Sequence, residues 1–144
     1  MLQRNTVLVA ILSCFSTYSI AATALNYSNQ TVTETEAIPE YKALTSDNST
    51  VTFQEMVGNE DAHLPGINIG SVTAKNQSHL IFAKGLYAGS SGYKKSGLNV
   101  SGNSVVEISG MSRIDVSGSE GVAIAVEDGG LLKLENASLS MSGS

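Results

Sequence analysis

Apolar and polar residues alternate along the last third of the chain. From Gly97 onward the apolar residues come in pairs separated by one residue, and the first members at 98, 106, 114 and 122 are spaced by eight. This period of two predicts short β-strands with one apolar face, and nothing in 97–144 indicates an amphipathic helix. The pairs are Leu98 with Val100, Val106 with Ile108, Ile114 with Val116, Leu132 with Leu134 and Leu139 with Met141, and one run has three members, Val122, Ile124 and Val126.

Strands at this spacing are compatible with a meander, a sandwich or a solenoid. A meander favours tight turns such as Asn-Gly, whereas the recurrent signal here is Ser-Gly. With three strands per coil, separations of 24, 26 and 25 residues stack Leu98 under Val122, Val106 under Leu132 and Ile114 under Leu139. The arithmetic favours an all-β fold, a parallel β-helix or solenoid. In the same register we expect Val100 near Ile124, Ile108 near Leu134 and Val116 near Met141.

Turn residues mark the predicted coil corners. Glycine permits a positive φ, and asparagine is suited to a tight bend or a side-chain ladder. The expected corner residues are Gly102, Gly110, Gly118, Gly129, Gly130, Asn136 and Gly143.

The pattern is weaker upstream. A less regular coil begins at 67, and the sequence Gly-Ser-Ser-Gly at 89–92 is typical of a loop or short insertion. Residues 25–66 show short apolar pairs only, such as Val51 with Phe53, and we interpret them as an irregular N-terminal cap. The predicted organisation is therefore a leader over 1–24, a cap over 25–66 and coils over 67–144, regular from 97.

The first 24 residues have the features of a secretory signal peptide. Arg4 precedes a short apolar stretch, and the small residues Ala22 and Ala24 form an A-x-A cleavage signature. The predicted cleavage follows Ala24, with cleavage after Ala21 as the alternative. The apolar stretch is too short and too interrupted for a transmembrane span of about 20 residues, and an uncleaved anchor is left open as an alternative. No membrane span is expected in the mature chain.

Cys14 is the only cysteine of the chain. Its position after Ile11, Leu12 and Ser13 leaves lipidation as a lipoprotein open as an alternative. Cleavage after Ala24 instead gives a mature chain without cysteine, which must be held together by burial and backbone pairing rather than disulfides.

One stretch resembles a known family. Residues 121–143, GVAIAVEDGGLLKLENASLSMSG, are similar to the repeated coils of pertactin-like passenger domains of bacterial autotransporters. The matching positions are Gly121, Ile124, Val126, Gly129, Gly130, Leu132, Leu134, Asn136, Leu139 and Gly143.

The resemblance implies that the parallel β-helix is right-handed. It also implies an exported passenger that crosses the periplasm and then an outer-membrane β-barrel to reach the cell surface. It covers 97–144 well and 67–96 loosely. No barrel-like run of alternating strands follows the coils, so we interpret the chain as the N-terminal fragment of a longer passenger whose translocator barrel is missing.

Catalytic and cofactor motifs are not recognisable in the sequence. His63 and His79 have unlike contexts, and two histidines without cysteine do not form a closed zinc site. Glycine-rich nucleotide loops and a nucleophile elbow are also missing. Glu107 and Asp115 are the two carboxylates that could approach each other on neighbouring strands, as a polysaccharide-cleaving site would require. We expect no enzyme activity, no cofactor and no metal.

The net charge of the chain limits the classes of partner that it is expected to bind. The net charge is −5, and removing Arg4 with the leader gives −6, which argues against binding nucleic acid. The expected function is a surface structural or adhesive scaffold that contacts host-surface or matrix components or associates with itself. The alternatives are a secreted polysaccharide-degrading β-helix enzyme and a non-functional truncated remnant.

Overall fold

The structure, a computed structural model, describes residues 22–60 and 69–142. Within these ranges the secondary structure consists of strands. They are β1 (Ala24–Ser28), β2 (Thr31–Glu34), β3 (Tyr41–Asp47), β4 (Thr50–Phe53), β5 (Ile69–Lys75), β6 (His79–Phe82), β7 (Gly85–Ser91), β8 (Ser96–Val100), β9 (Val105–Ser117), β10 (Val122–Val126) and β11 (Leu131–Ser142).

The strands stack in parallel at each face of a coil. The first sheet has the order β1-β3-β5-β8-β10, and the second sheet has the order β2-β4-β6-β9-β11. A third face is formed by β7 and the second half of β9, followed by the second half of β11. The chain therefore winds through about four turns, and the all-β parallel β-solenoid predicted from the alternation is confirmed. Its right-handedness stays a prediction.

The long strand β9 covers two faces. Its first half pairs with β6 and its second half pairs with β7, and the change occurs at Gly110, where φ is +81°. In β11 the register shifts between Leu134 and Asn136, at the equivalent place. In the last two coils the second and third faces thus belong to one continuous strand that bends, β9 or β11, whereas in the coil before them they belong to two separate strands, β6 and β7.

Alternation along each strand builds the interior. Residues that point inward stack from coil to coil at the strand spacing of about 4.8 Å, so each apolar side chain of an interior coil is covered above and below. On the first sheet the stacked residues are Leu25, Leu44, Val72, Leu98 and Ile124. On the second sheet they are Val32, Val51, Leu80, Val106 and Leu132.

Aromatic side chains fill the core of the first coils. The rings of Phe53 and Phe82 are stacked with centroids 4.8 Å apart, and Tyr27 meets Phe53 edge-on at 5.9 Å. The hydroxyl of Tyr41 donates to the carbonyl of Tyr87 at 2.8 Å across the interior. These contacts link the first and second sheets and the third face through side chains, which complements the backbone ladders.

The corner between the first and second sheets repeats in every coil. The first left-handed residue of each corner has φ between 48° and 60°, at Asn29, Asn48, Asn76, Gly102 and Asp128. In the last three corners the next residue, Gln77, Asn103 or Gly129, also has a positive φ. Asparagine, aspartate and glycine are the residues that tolerate this conformation. At Gly102 the space is also restricted, because an added Cβ would lie 2.8 Å from the backbone nitrogen of Asn76.

The register of the first sheet differs from the prediction. Leu98 pairs with Ile124 and Val100 pairs with Val126, so Val122 is not above Leu98. The run Val122, Ile124, Val126 offers three positions of the same parity, and alternation alone does not distinguish registers that differ by two residues. The predicted pairs of the other faces are those of the structure: Val106 with Leu132, Ile108 with Leu134, Ile114 with Leu139 and Val116 with Met141.

The interpretation of 25–66 as an irregular cap does not match the described part of that range. It contains β1 to β4, which are regular members of the two sheets. Polar inward residues such as Glu34 and Ser46 interrupt the apolar alternation there and hide the strands. Similarly, residues 89–91 belong to β7 and are not a loop.

Candidate functional site

The outer surface of the second sheet is the candidate interaction face, and we call it the second-sheet outer face. Its residues form two columns that run along the solenoid. One column is Thr31, Thr50, His79, Val105 and Leu131, and the other is Thr33, Thr52, Ile81, Glu107 and Lys133. The face therefore changes from threonine on the first coils to larger and charged side chains on the last coils.

Glu107 contacts two basic side chains on this face, those of His79 and Lys133. Its Oε1 lies 3.0 Å from Nε2 of His79 and 3.3 Å from Nζ of Lys133. The hydrogen bond with His79 and then the one with Lys133 lower the pKa of the Glu107 carboxyl below its ordinary value. Because all three side chains are accessible to water, their attraction contributes little to stability, and the group remains available to a partner.

The third face carries small hydroxyl side chains and one ion pair. Nε of Arg113 donates to Oδ2 of Asp115 at 2.7 Å, while Oδ1 of Asp115 is buried without a hydrogen-bond partner. Asp115 lies between Gly89 on one side and Ser140 on the other.

The two carboxylates singled out in the sequence do not meet. Glu107 and Asp115 belong to the same strand, β9, and the bend at Gly110 places them on different faces. Acid–base catalysis on a glycan needs two carboxyl groups within about 5–10 Å, flanking one bond. The described residues also contain no group of three or more His, Cys, Asp or Glu side chains arranged to hold a metal ion.

Of the two histidines, only His79 lies within the described residues. His79 begins β6 and contacts Glu107, whereas His63 lies outside the described residues, as do Cys14 and Gly143.

The expected corner glycines are at bends. Gly102, Gly110, Gly118 and Gly129 all have positive φ values, from 60° to 123°. Gly130 does not, but an added Cβ there would collide with the carbonyl of Val100. Asn136 lies within β11, at the register shift, and its carbonyl accepts a hydrogen bond from the Ser112 hydroxyl at 2.8 Å.

The twelve expected core-ladder residues separate into two groups. Those of the coil formed by β8 and β9 are fully buried: Leu98, Val100, Val106, Ile108, Ile114 and Val116. In the last coil, Ile124, Leu132 and Leu134 are partly buried, while Val122, Leu139 and Met141 are 46%, 52% and 59% exposed. The last coil therefore has an open edge, formed by β10 and β11, where aliphatic side chains face solvent.

A buried serine ladder supports the corner between the first two sheets, and the sequence reasoning missed it. The backbone N–H groups of Gln30, Ser49 and Ser78 donate to the hydroxyls of Ser49, Ser78 and Ser104, respectively, at 3.1, 3.3 and 3.0 Å. A repeated sequence pattern could have predicted this ladder, because an asparagine stands one or two residues before each serine. The repeats are Asn48-Ser49, Asn76-Gln77-Ser78 and Asn103-Ser104.

A buried carboxyl in the first coil was also missed. Glu34 is only 4% exposed, and its Oε1 accepts a hydrogen bond from the Tyr27 hydroxyl at 2.8 Å. Burial raises the pKa of Glu34, although the hydrogen bond from Tyr27 partly offsets this effect. Glu34 occupies the inward position that Phe53 and Phe82 occupy in the next coils. Because this inward residue of β2 is charged, the sequence does not show two apolar inward residues, Val32 and the residue at 34, and the strand is hard to recognise.

Comparison of the chain with protein-family models, with curated proteins and with solved structures gives no match. The class assigned here, a parallel β-solenoid, therefore depends on the strand pairing described above. Among the described residues there is also no helix with the length and hydrophobicity needed to cross a bilayer.

Proposed function

We propose that the chain is part of an exported, autotransporter-like passenger and acts at the cell surface as a structural or adhesive scaffold without catalysis. The observation that carries this proposal is the stack of parallel coils with an unbroken second-sheet outer face. Solenoids use such extended faces for binding, because each coil adds one row of side chains at a fixed spacing. The leader-like sequence of residues 1–24 supports export.

The open edge supports the part of the proposal that concerns a longer passenger. Inward aliphatic side chains of the last coil are exposed, and the backbone of β10 and β11 is paired on one side only within the described residues. Such an edge is ordinarily covered in folded proteins. A further coil of the same kind would bury these side chains and continue both sheets.

The second-sheet outer face is the surface that we assign to binding. It offers hydroxyl groups on the first coils and the His79, Glu107 and Lys133 cluster on the last. The partners that fit are host-surface or matrix components, or another copy of the protein. Nucleic acid is not proposed, because the chain carries a net charge of −5.

Export is tested by fractionation of a Gram-negative host that produces the full chain or a chain lacking residues 2–24. The full chain is expected outside the cytoplasm and the shortened chain inside it. Equal distribution of the two chains would contradict export.

Adhesion is tested with beads that carry the exported protein, on surfaces coated with collagen, fibronectin or epithelial cells. Lys133→Ala alters the second-sheet outer face, and Lys84→Ala is its matched control, because Lys84 forms an exposed ion pair with Glu55 elsewhere. Binding that falls severalfold with Lys133→Ala alone supports the proposal. Release of new reducing ends from acidic polysaccharides by the same protein would instead establish the enzyme alternative.

A further inference from the structure

The start of β1 bears on where the leader is removed. Five register pairs join Ala24–Ser28 to Ala43–Asp47, and the N–H of Lys42 donates to the carbonyl of Thr23 at 2.9 Å. The parallel ladder of the first coil therefore begins at Thr23. Cleavage after Ala24 would remove this carbonyl and the first register pair, and would place a charged amino terminus at Leu25, whose side chain packs against the core.

Ala24 takes part in this ladder through its backbone. It pairs with Ala43, and Ala43 pairs with Ser71, so small residues form one column over the first three strands of the sheet. The side chain of Ala24 is exposed, so the fold does not restrict its size. The observation that separates the two cleavage sites is therefore the pairing of the backbone at Thr23 and Ala24, which only cleavage before these residues preserves.

The alternative site satisfies the same rule. Signal peptidase sites require small residues one and three positions before the cut, and Ala21 and Ser19 meet this requirement. Cleavage after Ala22 would place the larger Ile20 three positions before the cut. Between residues 21 and 25, only the bonds after Ala21 and after Ala24 have an alanine directly before the cut and a small residue three positions before it. Of these two cuts, only the one after Ala21 leaves the whole of β1 in the mature chain.

We propose that the leader is cleaved after Ala21, so that the mature chain begins at Ala22. This inference rests on the proposed export, since a chain that is never exported is not processed. The inference goes beyond export because it assigns the cleaved peptide bond, between Ala21 and Ala22, and keeps the whole of β1 in the mature solenoid.

The test is the intact mass and N-terminal sequence of the exported protein, made from the full chain in a Gram-negative host. A terminus at Ala22 supports the inference. A terminus at Leu25, or a lipid-modified terminus at Cys14, overturns it but leaves export standing. An unprocessed chain that stays in the cytoplasm overturns the export proposal itself.

Two substitutions sharpen the test, because a bulky residue directly before the cut blocks cleavage there. With Ala21→Leu, the species that starts at Ala22 is expected to disappear. With Ala24→Leu, the matched control, that species is expected to remain the main product. The opposite pattern would overturn the inference, and mass reads the terminus whether or not the variants fold well.

Discussion

At the scale of single residues, the solenoid tolerates polar groups in its interior when a hydrogen bond is available. Glu34 is buried in the first coil and is bonded to the hydroxyl of Tyr27. A buried carboxyl is stable as the neutral acid, whereas its ionised form lacks the compensation that water provides. This explains how an acidic residue takes a place that phenylalanine takes in the next two coils.

The raised pKa of Glu34 predicts a pH-dependent stability. A carboxyl whose pKa is higher in the folded than in the unfolded chain contributes its stability below the unfolded pKa of about 4.3, and this contribution is lost as the pH rises through the folded pKa. Glu34→Gln keeps an oxygen that accepts from Tyr27 and removes the ionisation. We therefore expect the unfolding midpoint of this variant to exceed that of the wild type at pH 7, and the difference to shrink or reverse at pH 4.

Chemical unfolding at several pH values measures this effect. Glu36→Gln is the control, because Glu36 lies two residues away on the same coil and is exposed. A difference between Glu34→Gln and wild type that does not change with pH would show that Glu34 does not ionise in this range.

At the scale of secondary-structure elements, two features recur at the corners between the first two sheets. A left-handed residue turns the chain at all five corners, and at three of them a buried serine, Ser49, Ser78 or Ser104, accepts a hydrogen bond from a backbone N–H of the coil before it. The Ser78 hydroxyl contributes three bonds: it donates to the carbonyl of Lys75 at 2.7 Å and contacts the N–H of Ser49 and the hydroxyl of Ser46. The serine thereby satisfies polar groups that the corner would otherwise bury.

Ser78→Ala is expected to destabilise the chain by about 1–3 kcal/mol, because it leaves the buried N–H of Ser49 without an acceptor. The free energy of unfolding in urea checks this. Ser138→Ala is the matched control, since Ser138 is exposed on β11, and its effect is expected to lie within about 0.5 kcal/mol. Equal effects of the two substitutions would argue against the serine ladder.

How far the elements are predictable from the sequence depends on which residues face inward. From Gly97 onward valine, leucine and isoleucine occupy those positions, and alternation identifies the strands and the register of two faces. In β2 and β3 the inward positions include the polar residues Glu34 and Ser46, so inward and outward residues do not differ consistently in hydrophobicity. The error of two residues in β10 has a different cause, since the period of two is the same in both registers.

The pairing of Leu98 with Ile124 makes a further prediction. The sequence suggests that Ile124→Asp is severe, because it would bury a carboxylate without a partner. In the structure Ile124 is only partly buried, whereas Leu98 is fully buried between Val72 and Ile124. We therefore expect Leu98→Asp to abolish or strongly reduce folding, by more than about 3 kcal/mol, and Ile124→Asp to have a clearly smaller effect.

Urea or thermal unfolding of the two variants provides the comparison. If Leu98→Asp proves too unstable to purify, Leu98→Ala and Ile124→Ala replace the pair, and the same order is expected from the loss of buried volume. An equal or larger effect at Ile124 would mean that this residue is covered in solution.

At the scale of the whole molecule, stability is distributed along the axis of the solenoid. Each coil contacts only the coils before and after it, so the interior coils have two neighbours and the end coils have one. The two ends of the described solenoid also differ from each other. Inward residues of the first coil, such as Tyr27 and Val32, are buried, whereas Leu139 and Met141 of the last coil are exposed.

This asymmetry predicts the order in which the coils open. In the 144-residue chain we expect backbone amides of β10 and β11 to exchange with solvent about 10–100-fold faster than those of β5 and β6, because local opening there exposes little that is not exposed already. Amides of β1 and β2 are expected to be intermediate, since this end has one neighbour but a buried interior. Hydrogen exchange followed by mass spectrometry resolves the three groups. Uniform protection would show that the coils open as one cooperative unit, and slow exchange in β10 and β11 would show that the open edge is covered in solution, as by a second copy of the chain.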